Sequence, residues 1–140
     1  MAHHCKAILI NCMDFRLVKE TRRWMDENGY LNNCDVVSLA GASKELLDGG
    51  EEARNLVLKQ IELAHNLHGA SEVILVHHSD CGAYKNAYSF SSPEEERKQQ
   101  WEDMAKTEKI IEDRFKGMVV KKIWANMLDE DGQKVEFQKI

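Results

Sequence analysis

"AILINCMDFR", residues 7–16, decides the architecture. Its first part is a short, unbroken apolar run, Ala7-Ile8-Leu9-Ile10, that reaches Cys12. An amphipathic helix would break such a run with polar residues, and a strand with one wet face would alternate. A run this short and this continuous reads as a strand buried on both faces. Its second part turns chemical: a cysteine, an acid two positions on, and an arginine two positions after that. "SEVILVHHSDCGAY", residues 71–84, repeats the pattern, with a second apolar run ending in histidine and cysteine.

The rest of the chain alternates helix with strand. A charged helix is expected over 17–28, stopped by "ENG" at 27–29. "CDVVSLAG" at 34–41 is the second strand. Residues 51–68 carry Ala53, Leu56, Val57, Ile61, Ala64 and Leu67 at helical spacing, and Gly69 ends that helix. Residues 71–76 form the third strand, and a short helix begins near Cys81. "SSPEEE" at 91–96 starts a helix that runs to about Phe115, with Ser92 as N-cap, Pro93 at the first helical position and Glu95 closing a capping box. A fourth strand covers 117–128. "KVEFQK" at 134–139 alternates like an antiparallel edge strand. The expected fold is α/β: a mostly parallel central sheet of about four strands, an antiparallel C-terminal edge strand, and helices on both faces. Residues 1–140 read as one domain.

Composition narrows the function classes. The chain is 43% hydrophobic and 31% charged, with formal net charge −5 and no basic cluster, which argues against nucleic acid. No apolar run approaches the ~18 residues of a membrane span, and the first residues lack a signal-peptide core. Four cysteines (5, 12, 34 and 81) without secretory features suit a reducing compartment, where they more often serve metals or catalysis than disulfides. A cytoplasmic protein is expected.

In a parallel sheet, ligands sit beyond the carboxyl ends of the strands, where the winding reverses. If strands one and three are neighbours, Cys12 comes beside His78 and Cys81. Two thiolates and one imidazole suit Zn2+ and leave a fourth position open, the pattern of a catalytic zinc. Zinc lowers the pKa of bound water to about 7 in its most acidifying sites. Two thiolates cancel the metal's charge, so a nearby group must orient the resulting hydroxide. Asp14 can accept a hydrogen bond from it, or displace the water and ligate directly. Arg16 can hold that carboxylate by a bidentate pair and keep it ionised. Adjacent in an extended segment, His77 and His78 point to opposite faces. His78 has the ligand spacing to Cys81, and His77 reads as a packed histidine supporting the site.

"CMDFR" and "HSDCGAY" resemble the two signature motifs of the β-class carbonic anhydrases, Cys-x-Asp-x-Arg and His-x-x-Cys-Gly. "VVSLAGAS" at 36–43 resembles the family's second-strand loop. The likeness runs from about residue 7 to 90. It implies Cys12, His78 and Cys81 as zinc ligands and Asp14 with Arg16 as the catalytic dyad, Asp14 becoming the fourth ligand in a closed, inactive state. The implied reaction is reversible hydration of CO2 to bicarbonate by zinc-bound hydroxide, in a homodimer or higher homo-oligomer. Ser38-Leu39 stand where the family usually has Arg-Asn, and His77 replaces a common glycine. Those departures keep two alternatives in view: a related zinc hydrolase acting on CS2 or COS, or a catalytically silent zinc-binding domain.

Among the remaining features, Asp80 is expected to cap the helix near Cys81, and Cys34 to pack at the start of the second strand. His65 and His68 sit three apart on a helix, close enough to share a metal, but with no acid partner evident they read as surface residues; "HHC" at 3–5 offers a second metal site or a flexible terminus, the terminus being the expected reading, and "EEERKQQ" at 94–100 is a solvated helix face.

Overall fold

The computed structural model describes residues 3–140. Strands β1 (Ala7–Cys12), β2 (Cys34–Leu39), β3 (Glu72–His78), β4 (Val119–Met127) and β5 (Val135–Lys139) form one sheet in the order β2-β1-β3-β4-β5. All pairings are parallel except β4 with β5. The expected α/β sheet with an antiparallel C-terminal edge strand is the observed one.

Strand parity assigns the two faces. Ile8 and Ile10 of β1 and Val73 and Leu75 of β3 meet helices α2 (Lys44–Asp48), α3 (Glu51–His68) and α5 (Pro93–Arg114) through Leu46, Val57, Ile61, Met104 and Ile111. Ala7, Leu9, Ile74 and Val76 point the other way, onto Leu17, Met25 and Tyr30 around helix α1 (Val18–Glu27). Burial on both faces is why β1 and β3 have no polar alternation; each fully buried aliphatic side chain there contributes roughly 1.5–3 kcal/mol.

Several boundaries differ from the sequence reading. Strand β2 stops at Leu39 because Gly41 and Ala42 adopt positive φ, 77° and 55°. Helix α2, one short turn longer than a bend, carried no periodicity of its own. A 3₁₀ turn, Phe15–Leu17, precedes α1. Strand β3 reaches His78, two residues further than expected, so both histidines lie on the strand itself. At α5 the Ser92 hydroxyl accepts from Glu95 N at 3.2 Å, but the Glu95 carboxylate reaches back to Ser91 N at 2.7 Å rather than to Ser92 N. Among the described residues no helix is long and apolar enough to cross a membrane.

The strand order reverses between β1 and β3. Chain direction leaves β1 towards β2 on one side and reaches β3 on the other, so the carboxyl ends of β1 and β3 flank the switch point. Cys12 ends the first and His78 ends the second.

Candidate metal centre

Cys12, His78 and Cys81 converge at that switch point. One donor atom from each lies within 4.8 Å of the other two, and all three residues are buried. Cys12 is carried by the last residue of β1, where parity turns it towards Tyr84 and Cys81. Cys81 opens helix α4 (Gly82–Ala87) as its N-cap residue. Asp80, at φ 56°, turns the chain sharply between His78 and Cys81, which brings donors three residues apart onto one point.

The His78 ring is set for ligation. Its Nδ1 donates to Ser79 O at 2.6 Å, which leaves the lone pair on Nε2. That Nε2 is buried and has no hydrogen-bond partner among the described residues. A buried, unpartnered nitrogen costs free energy unless something binds it. Facing it are two sulfurs: the Cys81 thiol, donating to Cys12, and the nearby His78 hold Cys12 well below the usual thiol range, while Cys12 and burial push Cys81 up. A second thiolate there needs a dication to offset it. Two thiolates and a free imidazole nitrogen therefore fit Zn2+.

Asp14 and Arg16 border the cluster. Arg16 forks onto the Asp14 carboxylate, Nε to Oδ1 at 3.1 Å and Nη2 to Oδ2 at 2.7 Å. The Arg16 backbone N also donates to Oδ1 at 3.0 Å, so Asp14 caps the 3₁₀ turn while the guanidinium latches it. The Arg16 contact holds the Asp14 carboxyl below the usual carboxylate range. Its Oδ2 lies 3.9 Å from His78 Nε2. The guanidinium is anchored in turn: Nη1 reaches Asp80 Oδ2 at 3.0 Å and Glu130 O at 3.3 Å, and Nη2 reaches Asp80 O at 3.1 Å. Asp80 is thus no helix cap. It pairs with Arg16 and Lys85, and α4 begins two residues later, at Gly82, with Cys81 in the cap position.

A buried polar layer beneath the site was missed in the sequence. Glu96, 3% exposed, accepts from Cys81 N at 2.8 Å and Asp80 N at 3.1 Å, clamping the loop that carries the ligand candidates. Gln100 donates from Nε2 to His78 O at 2.8 Å and to Glu96 at 2.9 Å. Its Oε1 accepts from His77 Nδ1 at 3.0 Å, and Ser43 donates to His77 Nε2 at 2.7 Å. His77 points away from the metal position, towards α5, as its strand parity requires. Burial pushes its pKa down to about 4, so it stays neutral there. Glu96 and Gln100 belong to "EEERKQQ", expected to be solvated. The available signal was spacing: Glu96, Gln100, Asp103 and Thr107 recur on one helical face, and all four are buried. In the second-strand loop, Ser38 Oγ donates to Asn11 Oδ1 at 2.6 Å, while Leu39 packs against the core.

Comparison with known proteins now bears on this geometry. A family model described as "Putative carbonic anhydrase" matches residues 2–137. The chain belongs to that carbonic anhydrase family. An uncharacterized protein of Rickettsia bellii is 31% identical over 134 residues, covering 93% of this chain and 80% of the relative. Another, from Rickettsia conorii, is 36% identical over 84 residues, covering 59% and 45%. Among solved structures, a carbonic anhydrase from Streptococcus mutans superposes with TM-score 0.57 at 15% identity, over 99% of this chain and 83% of that one. A β-carbonic anhydrase of Aspergillus fumigatus gives 0.53 at 13%, over 99% and 76%. The apo form of a carbon disulfide hydrolase gives 0.54 at 18%, over 90% and 76%. The carbonic anhydrase fold thus extends over the whole described chain.

Proposed function

We propose that this family member is a zinc-dependent carbonic anhydrase that interconverts CO2 and water with bicarbonate and a proton. The observation that carries the reading is the orphaned Nε2 of His78, buried against the Cys12 and Cys81 sulfurs with the Arg16-held Asp14 carboxylate alongside. Cys12, His78 and Cys81 would hold the metal. When bound, zinc supplies the acidity that makes water a nucleophile near neutral pH.

The chain's own groups supply direction. Asp14, kept ionised by Arg16, can only accept hydrogen bonds. It therefore selects an attacking oxygen that still carries a proton and aims that oxygen's lone pair away from itself, towards CO2. Bicarbonate retains such a proton, whereas CO2 offers none to Asp14. Arg16 also fixes the carboxylate's position, which keeps Asp14 from swinging onto the metal position as a fourth ligand. Glu96 and Gln100 hold the His78–Cys81 loop from below. The proposed assembly is a homodimer or larger, supported by exposed Met13, Phe15 and Val18 beside the site. Cytoplasmic residence accords with four free cysteines.

Metal analysis alongside stopped-flow CO2 hydration tests the reading. One zinc per chain at the Cys12 cluster with rapid hydration is expected. Cys12→Ser should lose that zinc, and Asp14→Asn should keep it while losing about a hundredfold or more in rate. Zinc-loaded protein that is silent towards CO2 from mildly acidic to clearly basic pH would overturn the proposal. Turnover of CS2 or COS would then mark a hydrolase, and silence towards all three a metal-holding domain.

A further inference from the structure

A second set of metal-binding side chains lies at the opposite end of the sheet. Cys5, just before β1, meets Asp35 of β2 and His68, the last residue of α3. One donor atom from each lies within 4.8 Å of the others, and all three residues are half-buried. The Cys5 Sγ to Asp35 Oδ2 distance is 3.7 Å, and His68 Nδ1 to Asp35 Oδ2 is 2.7 Å. The backbone fixes the group as well: Cys5 N donates to His68 O at 2.9 Å. Residues 3–5 are therefore not a loose terminus, and His68 does have an acidic partner. The His3 ring stands 6.5 Å from the His68 ring, centroid to centroid. His65 does not join it; its Nδ1 engages Ala70 O at 2.9 Å.

A hydrogen bond joins His68 to Asp35, and the Cys5 thiol adds only long contacts, to Ala7 O at 3.4 Å and Asp35 Oδ2 at 3.7 Å. The three side chains present a sulfur, a nitrogen and an oxygen within 4.8 Å of one another. Tetrahedral zinc with sulfur, nitrogen and oxygen ligands separates its donors by roughly 3.5 Å. The Cys5–Asp35 distance already matches, and the His68–Asp35 contact needs only to open by less than 1 Å, at roughly the length of a side-chain rotation. Thiolate, imidazole and carboxylate together balance a dication's charge.

We propose that Cys5, Asp35 and His68, with His3 available as a fourth donor, form a second site for a borderline divalent transition cation of the zinc class. The cation would tie the amino ends of β1 and β2 to the carboxyl end of α3. Mixed thiolate, imidazole and carboxylate donors exclude magnesium and calcium as occupants.

The test uses untagged protein dialysed against Zn(II) and, separately, titrated with Co(II). Two equivalents are expected at saturation. Cys12→Ser should retain one, with the absorption intensity of a single cobalt–thiolate bond. Adding His68→Ala or Cys5→Ser to that variant should bring binding to zero and remove the band. Zn(II) should also raise the Tm of Cys12→Ser but not of Cys12→Ser/His68→Ala. Saturation at one equivalent that survives both Cys5→Ser and His68→Ala in the otherwise wild-type chain would overturn the proposal. So would two equivalents that persist through them. One equivalent lost with His68→Ala and untouched by Cys12→Ser would support this second site while removing the first, so the two proposals fail separately.

Discussion

Asp14 does two jobs with one carboxylate. As a helix cap it accepts from Arg16 N, and as a latched base it accepts from the Arg16 guanidinium. The cap alone would be an ordinary feature of a strand-to-helix junction; the fork makes it a poised acceptor. Arg16→Lys should keep the charge and lose the fork, because an ammonium cannot bridge both oxygens. Expected is a tenfold to hundredfold drop in hydration rate with the zinc content unchanged, and unaltered kinetics would remove the latch from the mechanism. His77 makes a different kind of prediction. Its folded pKa of about 4 lies below the unfolded value of about 6.5, so between those pH values the unfolded chain binds the extra proton. Stability should therefore fall as pH drops through that window, by about 2–3 kcal/mol between pH 7 and pH 4.5. Denaturant unfolding of the metal-free protein checks this, and His77→Gln should show a shallower decline; equal slopes would assign the loss elsewhere. At this scale the sequence was informative. The cysteine, acid and arginine are close in the chain, and two-residue strand parity separates His78 from His77 without coordinates.

Elements show what the sequence hid. The turn between β4 and β5 reaches the site: Glu130 O accepts from Arg16, and Gly132, at φ 71°, lies flat against the Arg16 backbone. A Cβ there would collide with the Arg16 carbonyl, and the left-handed φ adds its own cost of about 1–2 kcal/mol. Gly132→Ala should thus destabilise the protein by about 2 kcal/mol or more and slow hydration tenfold to a hundredfold through a displaced Arg16. Urea unfolding and stopped-flow rates on one preparation decide it; a variant with wild-type values would show that the turn does not position Arg16. "DEDGQ" at 129–133 has turn composition, and nothing local in it signals contact with a residue so far back. Helix α5 was misread for a related reason. Its buried stripe is polar, so a search for apolar periodicity passes over Glu96 and Gln100, although their spacing was visible.

For the whole molecule, strand order is the governing fact. The alternation of strands and helices announced a parallel sheet, and the switch point followed from placing β1 beside β3. How copies associate was not readable, because exposed apolar residues are scattered through most sequences. The structure exposes Met13 (65% exposed), Phe15 (85%) and Val18 (47%) around the Asp14–Arg16 segment. Water gains nothing from that patch, and a second copy would cover it. The Met13→Glu/Phe15→Glu protein should sediment as a smaller species than wild type and keep its zinc. If both proteins sediment alike, this patch is not the contact.

The pairing of β1 with β3 also orders events in time. During synthesis the segment bearing Cys12 emerges long before the one bearing His78 and Cys81, and β2 with its helices intervenes. A nascent chain that stops short of β3 brings only the Cys12 sulfur to this site, and one sulfur holds no ion tightly there. Zinc held as proposed by Cys12, His78 and Cys81 would therefore be captured after the long-range strand pairing is complete, as a reward for correct assembly and not as its seed.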